Sequence, residues 1–420
     1  MKKLLLVSAI AASTLMASGY KIPEQSLNST ALAGAYVSNT SAADASYYNP
    51  ANMAFMGEGK SIELNLMYAH LNPVQFDGQI VDISNPQSHD PSTPPVIKAS
   101  TSESSSENFL IPQFYFVSGP LDEGGDWHVG LSVNSPAGLS KRWPDGVEAL
   151  YAKEFTLKVI ELNPTVSYRI LDNLAIAGGV RFVYSEGVVK TAPNAALHGS
   201  SMDLTGSSWD IGWNAALSYK PFDAWGMAAT YRSNVDMTED GGQKFDAGPP
   251  YGVITTPASV SLPLPAVLSI ATDVSLTEST NLEFVYERAF WSSYNELNIK
   301  VPAAGPLPGM PAAKDWEDSN TFRLGLTQGL GDSVDLMIGL AYDQTPVPDE
   351  TISFELPDSD AYIGSLGFRW AVNEEMDIGA AILYDQKQDR DVTFADTQRI
   401  EGTFSNSSAV LVSFGLGYKF

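Results

Sequence analysis

Hydrophobic and polar residues alternate along most of the chain beyond residue 60. The last segment is the clearest, because large apolar side chains occupy every second position from Val410 to Phe420. A two-residue period is typical of a β-strand with two unlike faces. Regular alternation covers 62–68, 127–133, 174–184, 209–219, 225–231, 282–286, 322–326, 334–342, 376–384 and 410–420, and weaker alternation covers 108–117, 155–170, 265–275 and 361–370. Together these segments predict 14 strands.

The connections between these segments alternate between short and long along the whole chain. Outer-membrane barrels have short periplasmic turns, long external loops and an even number of strands. The pattern therefore predicts an all-β fold, a 14-stranded antiparallel transmembrane β-barrel of residues 60–420 with both termini in the periplasm. Short connections cover 118–125, 171–173, 221–223, 276–280, 330–332 and 371–375, and long ones cover 70–107, 136–153, 186–206, 233–264, 291–318, 344–360 and 386–407.

Aromatic residues recur near the strand ends on the predicted outer face, as the interfacial belts of a membrane barrel require. A soluble all-β protein would share the alternation of side chains but has no reason to place every long loop at one end. The aromatic positions are Tyr68, Trp127, Tyr168, Tyr184, Trp209, Tyr219, Trp225, Tyr231, Tyr342, Trp370 and Tyr384.

The first 18 residues have the composition of a secretory signal peptide. Lys2 and Lys3 precede a short apolar run, and Ala17 and Ser18 supply the small residues expected at a cleavage site. The run is too short to span a bilayer. A buried first helix is the alternative, but a polar, Asn- and Ser-rich segment follows directly. The protein is therefore expected to leave the cytoplasm for the outer membrane of a Gram-negative bacterium.

Composition excludes several classes of protein. The chain has 420 residues, with 24 Lys and Arg against 49 Asp and Glu, a formal charge of −25 and no cysteine. Such a charge repels nucleic acid, and the lack of cysteine excludes a disulfide-stapled module and a Cys-ligated zinc site. No segment after the N-terminus approaches the roughly 18–20 apolar residues that a spanning helix needs.

Residues 19–59 do not alternate and are rich in Ala, Ser, Asn and Gly. A barrel of 14 strands is wider than the eight-stranded size that side chains can fill, so its lumen is open or plugged. We expect this segment to be the plug. A disordered periplasmic tail is the alternative, against which its apolar positions argue. Asn49, Pro50 and Ala51 form either a moving part of the plug or a structural turn, because Asn bonds its own backbone and Pro fixes φ.

Several motifs occur in an order that resembles the FadL/TodX family of outer-membrane transporters for long-chain fatty acids and hydrocarbons. The N-terminal runs GYKIPEQS (19–26), AGAY (33–36) and DASYYNPA (44–51) resemble the family's N-terminal hatch. Similar matches follow at 162–169, 262–265, 316–318 with 322–325, 342–348 and 356–360. Two positions depart from the usual family pattern, since Glu317 and Ala361 stand where basic residues are common. Both changes favour uncharged hydrophobic ligands.

The resemblance implies passive transport of a long-chain fatty acid or hydrocarbon. The ligand would be captured between the third and fourth external loops, held in a pocket inside the barrel, and released sideways after the hatch moves. A kink in the third strand would form the exit, and Ser135, Pro136 and Gly138 are its candidates because Pro removes a ladder hydrogen bond. Outer-membrane lipid, lipopolysaccharide and, through Phe420, the barrel assembly machinery are the other expected partners.

The candidate ligand-binding residues fall into an apolar and a cationic set. Apolar side chains in external loops often mark binding, although they also serve to pack the loops together. A carboxylate head group in the lumen would need a cation, and the parity of the strands predicts that Lys158 and Arg181 point inward. These cations also have an alternative role, the pairing with inward acids such as Asp210, Glu283 and Asp343. The apolar set is Leu197, Met202, Phe245, Tyr251 and Ile254, and the cationic set is Lys158, Arg181, Lys314 and Arg323, of which Lys314 and Arg323 are preferred.

Two other functions are consistent with a membrane barrel. The first is a general or substrate-selective porin for small polar solutes, which would have a charged constriction and no apolar plug. The second is an outer-membrane lipolytic enzyme, for which His128 and Ser132 would share one face, but a lone pair is a weak signal. No His/Asp cluster has metal-ligand spacing, and no catalytic residue, cofactor or metal is expected.

Overall fold

The computed structural model describes residues 19–90, 92–197, 199–246, 252–301, 311–395 and 400–420. The predicted signal peptide and Tyr251 lie outside these ranges. Among the described residues, no helix is long and apolar enough to cross a membrane.

Fourteen antiparallel strands close into a barrel, as predicted. Strand β1 pairs on one side with β2 and on the other with β14, and Ser61 faces Lys419 at the seam. Two backbone hydrogen bonds also join the beginning and the end of the barrel. The N–H of Lys60 donates to the carbonyl of Phe420 over 2.8 Å, and the N–H of Phe420 donates to the carbonyl of Lys60 over 2.9 Å. The strands are β1 (Ser61–Leu71), β2 (Glu107–Val117), β3 (Trp127–Asn134 and Gly138–Lys141), β4 (Glu154–Leu171), β5 (Leu174–Lys190), β6 (Ser201–Phe222), β7 (Trp225–Arg232 and Val235–Asp246), β8 (Val253–Leu264 and Ala266–Thr277), β9 (Thr280–Phe290), β10 (Ser319–Leu330), β11 (Val334–Asp343), β12 (Ala361–Ala371), β13 (Met376–Lys387) and β14 (Ser408–Lys419).

Side chains along each strand alternate between a buried inner face and an exposed apolar outer face. In β1, Met67 and Ala69 are fully buried, whereas Leu64 and Leu66 are about half exposed. Trp209 and Ile211 of β6 are about 70% exposed. Exposed residues of this size are costly in water and favourable in hydrocarbon, so the outer face fits a lipid environment.

Strand β3 is interrupted at residues 135–137. Between the pairs Asn134–Glu161 and Gly138–Lys158, three residues of β3 face two of β4. The extra residue is the signature of a bulge, and Pro136 within it has no N–H to donate. Ser135 and Pro136 thus lie in this bulge and Gly138 directly follows it, and their part in a lateral opening stays a prediction.

Two predicted external loops are largely strands. Strands β6, β7 and β8 extend outward through residues predicted as the loops 186–206 and 233–264, and Val235–Asp246 pairs with Val253–Leu264 over its full length. The prediction of loops there was wrong because Gly241, Gly242 and Pro257 resemble turn residues, yet the neighbouring ladders hold them extended.

The loops 70–107 and 386–407 together form a separate four-stranded antiparallel sheet outside the barrel. Its strands are Gln75–Val81, Ile97–Glu103, Arg390–Ala395 and Ile400–Ser405. Phe76 and Phe404 pack on each other under this sheet, with ring centroids 4.9 Å apart. Short two-residue strands occur at Glu296–Leu297, Ile299–Lys300 and Ala312–Ala313, a short helix α3 at Ala149–Ala152, and 3₁₀ turns at Pro86–His89, Ala195–Leu197, Trp291–Ser293 and Asp349–Thr351.

Residues 19–59, which we call the hatch, lie inside the barrel as far as Met56, and residues 57–59 are exposed. They form α1 (Leu27–Ala31), α2 (Ala45–Tyr48) and a 3₁₀ helix (Pro50–Phe55). Ser26 begins α1 by accepting from the N–H of Ser29, and Pro50 sits at the first turn of the 3₁₀ helix, where its missing donor costs nothing. Small inward residues of the wall make room for these elements. A Cβ on Gly339 would lie 2.1 Å from the carbonyl carbon of Leu32.

Candidate functional site

The wall of the barrel is incomplete between β2 and β3. These strands pair only from Phe114–Val133 to Val117–Gly130, four residue pairs against eleven between β1 and β2. Beyond that point, residues 107–113 of β2 and 134–141 of β3 share no described ladder. At the outer end, the N–H of Ser105 donates to the carbonyl of Arg142 over 2.8 Å. We call this interval the wall gap.

The hatch covers the wall gap from inside by strand pairing. The N–H of Ile22 donates to the carbonyl of Pro136 and the N–H of Gly138 donates to the carbonyl of Tyr20, both over 2.9 Å. Lys21 therefore faces Ala137 in an antiparallel bridge. The edge of β3 that would otherwise pair with β2 is occupied by the protein's own N-terminal segment.

Gln25 adds side-chain contacts at the same place. Its Oε1 accepts from the N–H of Ser135 over 2.9 Å, and its Nε2 donates to the carbonyl of Ile22 over 2.9 Å. The hydroxyl of Tyr115 on β2 donates to the Gln25 carbonyl. One hatch residue thus contacts both borders of the wall gap.

Tyr20 ends the covering segment in an aromatic cluster. Its ring lies 4.7 Å from Trp291 and 5.7 Å from Trp316, centroid to centroid, and its hydroxyl donates to the carbonyl of Pro263 over 2.5 Å. Trp291 and Trp316 themselves are 4.8 Å apart. The cluster belongs to a large apolar core that fills the outer half of the barrel and continues under the external loops. The sequence analysis did not predict this cluster, because Trp291 and Trp316 are about 270 or more positions from Tyr20 along the chain.

Arg323 ties the hatch to the wall. It is buried, and its Nη1 lies 3.3 Å from Glu24 Oε1 and donates to the Ala33 carbonyl over 2.8 Å. Its Nη2 lies 3.6 Å from Glu287, which also binds Lys21. Ala33 has φ of 49°, a left-handed conformation that is strained for a residue with a Cβ. The guanidinium thus stabilises a strained turn of the hatch.

Lys314 is buried in the external loops beside Glu355. Its Nζ binds the Glu355 carboxylate and lies 3.1 Å from Ser353 Oγ. Burial alone would raise the pKa of Glu355, but the Lys314 ammonium and hydrogen bonds lower it below its usual value. Lys314 and Arg323, the two cations preferred for a head group, therefore both have carboxylate partners. This agrees with their alternative role of pairing with acids, although Glu355 and Glu24 are not among the three acids given as examples. Contact of the two cations with a ligand stays a prediction.

The other two predicted cations differ in orientation. Arg181 is buried in the lumen, where its Nε lies 2.8 Å from Glu161. Lys158 shares the parity of the outward residues Leu162 and Val166, and its ammonium lies 3.5 Å from the half-exposed Glu186. The inward orientation predicted for Lys158 was therefore wrong.

Three of the predicted capture residues are brought together. Phe245 faces Met202 on one side and Ile254 on the other, at the outer ends of β6, β7 and β8. Ile254 is 47% exposed. They lie at strand ends instead of in loops. Leu197 ends a 3₁₀ turn nearby in sequence, and Tyr251 lies outside the described residues.

Asn49, Pro50 and Ala51 form a capped turn within the hatch. Asn49 Oδ1 accepts from the N–H of Ala51 over 3.2 Å, and Asn49 Nδ2 donates to the Val37 carbonyl over 2.8 Å. Ala51 is fully buried against Ala175 and Ala216 of the wall. The turn is thus present, and its part in movement stays a prediction.

Glu283, one of the acids named as alternative partners of the inward cations, binds hatch backbone. Its carboxylate accepts from the N–H groups of Val37, Ser38 and Asn39 over 2.6, 2.6 and 3.2 Å. His128 and Ser132 are both buried on the inner face, and no hydrogen bond joins them in the described structure. The described residues also hold no group of three or more His, Asp or Glu arranged for a metal.

Sequence comparison gives the same family throughout the chain. The model of the family described as "Outer membrane protein transport protein (OMPP1/FadL/TodX)" matches residues 8–420. The long-chain fatty acid transport protein of Escherichia coli O6:H1 is 26% identical over 318 residues, which cover 66% of this chain and 70% of that protein. The 47 kDa outer membrane protein of Pasteurella multocida is 24% identical over 451 residues, covering 99% and 98%.

Solved structures share the fold. A Pseudomonas aeruginosa FadL homologue superposes with a TM-score of 0.82 at 20% identity, covering 96% of this chain and 100% of that one. The Pseudomonas putida toluene transporter TodX superposes with a TM-score of 0.71 at 15% identity, covering 96% and 100%. With the family match over nearly the whole chain, these comparisons show that the protein is a member of the OMPP1/FadL/TodX family of outer membrane transport proteins.

Proposed function

We propose that this protein carries long-chain fatty acids or related hydrophobic molecules passively across the outer membrane and releases them sideways through the wall gap. Relatives are named for long-chain fatty acid transport and for toluene transport. The observation that carries the proposal is the edge of β3 at residues 136–138. This edge does not pair with β2, and hatch residues 20–22 pair with it instead. Because only the hatch closes this part of the wall, moving residues 20–22 away would open a route from the lumen to the lipid phase.

The outer half of the barrel supports entry of an apolar solute. Met202, Phe245 and Ile254 form an apolar rim, and the apolar core that contains Tyr20 and Leu139 continues from the outer loops to the wall gap. A molecule entering from the rim would displace Tyr20–Ile22 to reach the gap. No energy source is needed, because the ligand moves down its own gradient.

The remaining expectations are part of the same proposal. The C-terminus faces the periplasm together with the end of the hatch, since Lys60 and Phe420 lie at the end with the short turns. Phe420 is exposed there, at 58%, where the barrel assembly machinery would contact it. The expectation of a periplasmic N-terminus does not extend to Gly19, whose N–H lies 3.3 Å from Asp358 Oδ2 inside the barrel. The outer face contacts lipid and lipopolysaccharide. The protein works without catalysis.

The test is to close the wall gap. Deleting Ala137 together with Pro136→Val removes the bulge and restores the donor, so that β3 can pair with β2 along its length. Cells producing this variant should lose uptake of tritiated oleate, while the purified variant still retains lipid ligands by native mass spectrometry. Pro164→Val, a strand proline of β4 away from the gap, is the matched control.

Two results would contradict the proposal. Undiminished oleate uptake by the closed-wall variant would remove sideways release. Large, steady ionic currents through the unmodified protein in planar bilayers would instead favour a porin for small polar solutes, because a filled lumen does not conduct them.

A further inference from the structure

A cavity opens between the hatch and the wall at the end of the barrel that carries the short turns. Its volume is about 330 Å³, at the lower end of the range for small-molecule sites. Hatch residues 55–59 border it on one side, and Lys60, Lys220 and Lys419 border it on the other. Val117, which also lines it, belongs to the paired part of β2, so this mouth cavity is separate from the wall gap.

Positive charge is concentrated at the mouth cavity. Lys220 and Lys419 lie on the inner face of β6 and β14, because they share the parity of the buried Ser218 and Ser413. Among the described lining residues, three lysines stand against one acid, Glu58, which leaves two net positive charges. The whole chain carries a formal charge of −25, so this excess runs against the overall charge.

The charges of these lysines are not neutralised by the protein. Within the described ranges, none of the three forms an ion pair, and two of them lie over aromatic rings instead. Lys220 Nζ is 4.7 Å from the ring centroid of Phe55 in the hatch, and Lys60 Nζ is 5.9 Å from that of Phe420. A cation–π contact orients an ammonium group without cancelling its charge. The ammonium groups therefore remain able to pair with an anion.

The segment between the hatch and β1 adds backbone donors. The N–H groups of Gly57, Glu58 and Gly59 donate to no other residue in the described part of the chain. Gly59 has φ of 110°, which favours glycine. Successive unpaired backbone N–H groups form concave sites for anions. The lining thus offers amide donors beside its ammonium groups.

The composition of the lining favours one class of anion. Two net positive charges match a dianion, and lysine acts as a point charge that suits phosphate, whereas a planar carboxylate is matched best by arginine, which the described lining lacks. A hydrogen phosphate dianion also carries one O–H, which the Glu58 carboxylate can accept. Sulfate has no such proton and would be repelled by Glu58.

We infer that the mouth cavity binds a hydrogen phosphate dianion, held by Lys220, Lys419 and the N–H groups of residues 57–59, with Glu58 accepting from the phosphate O–H. The ion would join the end of the hatch to β6 and β14 and so stabilise the hatch inside the barrel. The inference goes beyond the proposed function, because this site neither requires nor replaces the passage of a hydrophobic molecule through the wall gap.

The test measures equilibrium binding of radiolabelled inorganic phosphate to the purified protein in detergent. Binding should saturate, and Lys220→Met should weaken it about tenfold or more because a charge-assisted contact is lost. Lys220→Arg keeps the charge and should retain most of the binding. Lys98→Met, an exposed lysine of the outer sheet, is the control. Heat-modifiable mobility in electrophoresis checks that each barrel is closed.

A second variant covers the case in which Lys220→Met does not fold. Sulfate should compete severalfold less well than phosphate in the unmodified protein, and Glu58→Ala, at an exposed position, should remove that difference. The inference is overturned if phosphate binding does not saturate, if Lys98→Met weakens it as much as Lys220→Met does, or if sulfate competes equally in the unmodified protein. Binding of dihexanoyl phosphatidic acid without binding of inorganic phosphate would also overturn it, in favour of a lipid head group.

Discussion

The side-chain oxygen of Gln25 accepts a hydrogen bond of 2.9 Å from the backbone N–H of Ser135, inside the interruption of β3. A single hatch side chain is therefore bonded to the part of the wall that lacks its strand partner. Because this amide also donates to Ile22, it holds the covering segment in its paired geometry. Gln25 is thus a link between hatch position and wall closure.

Gln25→Ala should loosen the covering segment and speed release. Losing two buried hydrogen bonds and leaving the Ser135 N–H without a partner costs about 1–3 kcal/mol. Oleate uptake by cells should rise, and limited proteolysis from the periplasmic side should cut the hatch faster. Asn39→Ala, at an exposed hatch position, is the control. A slower uptake in Gln25→Ala would contradict this role.

A disulfide between hatch and wall should stop transport reversibly. Lys21 and Ala137 face each other between two flanking hydrogen bonds, the close type of antiparallel pair, with Cα atoms about 4.5 Å apart. The chain has no other cysteine, so the double variant Lys21→Cys/Ala137→Cys forms one defined bond. Uptake should fall to background when oxidised and recover with reductant.

The single variant Lys21→Cys controls for the lost ion pair with Glu287. If the cross-linked protein transports as fast as its reduced form, the covering segment does not need to leave the wall.

A side chain at Gly339 should dislodge the hatch. Its Cβ would lie 2.1 Å from the Leu32 carbonyl carbon and 2.4 Å from the Ala33 nitrogen, both backbone atoms that cannot rotate away. Overpacking of this kind costs about 1–3 kcal/mol. Gly339→Ala should raise ionic conductance in planar bilayers. Gly364→Ala, whose Cβ meets its nearest described neighbour at 3.9 Å, should leave conductance unchanged.

The external loops should loosen in acid through Glu355. Its pKa is lowered in the folded protein, so the stability that it contributes is present above its unfolded pKa of about 4.3 and is lost as the pH falls through the lower folded value. Loop proteolysis by an acid-active protease should therefore accelerate below about pH 4. Glu355→Gln should remove most of that pH dependence.

Lys314→Met is the complementary change, since it leaves a buried carboxylate unpaired at neutral pH. Breaking such a pair costs about 3–5 kcal/mol, so the loops should be cut rapidly at pH 7. Equal cutting of this variant and the unmodified protein would show that the pair does not order the loops.

Strand positions were predictable because a membrane barrel imposes a two-residue period on every wall segment. The kink was predictable too, since Pro136 cannot complete a ladder. The outward extensions of β7 and β8 were not, because Gly242 and Pro257 carry local turn signals that neighbouring strands override. Local sequence describes the wall better than it describes what lies beyond the membrane.

Charge partners could not be read from the sequence. Arg323 and Glu24 are 299 positions apart, and their contact depends on the hatch folding into the closed barrel. Alternation alone does not say which acid each inward cation meets once the hatch is in place.

The four-stranded sheet above the barrel joins the first external loop to the last one across the seam between β1 and β14. A shift of one residue in either partner would turn its side chains to the opposite face. The two loops are therefore constrained to evolve together, and insertions between residues 75 and 103 should be accompanied in related proteins by compensating changes between residues 390 and 405. Sequence changes in the surface loops of related proteins would then occur in both paired loops together more often than in one loop alone.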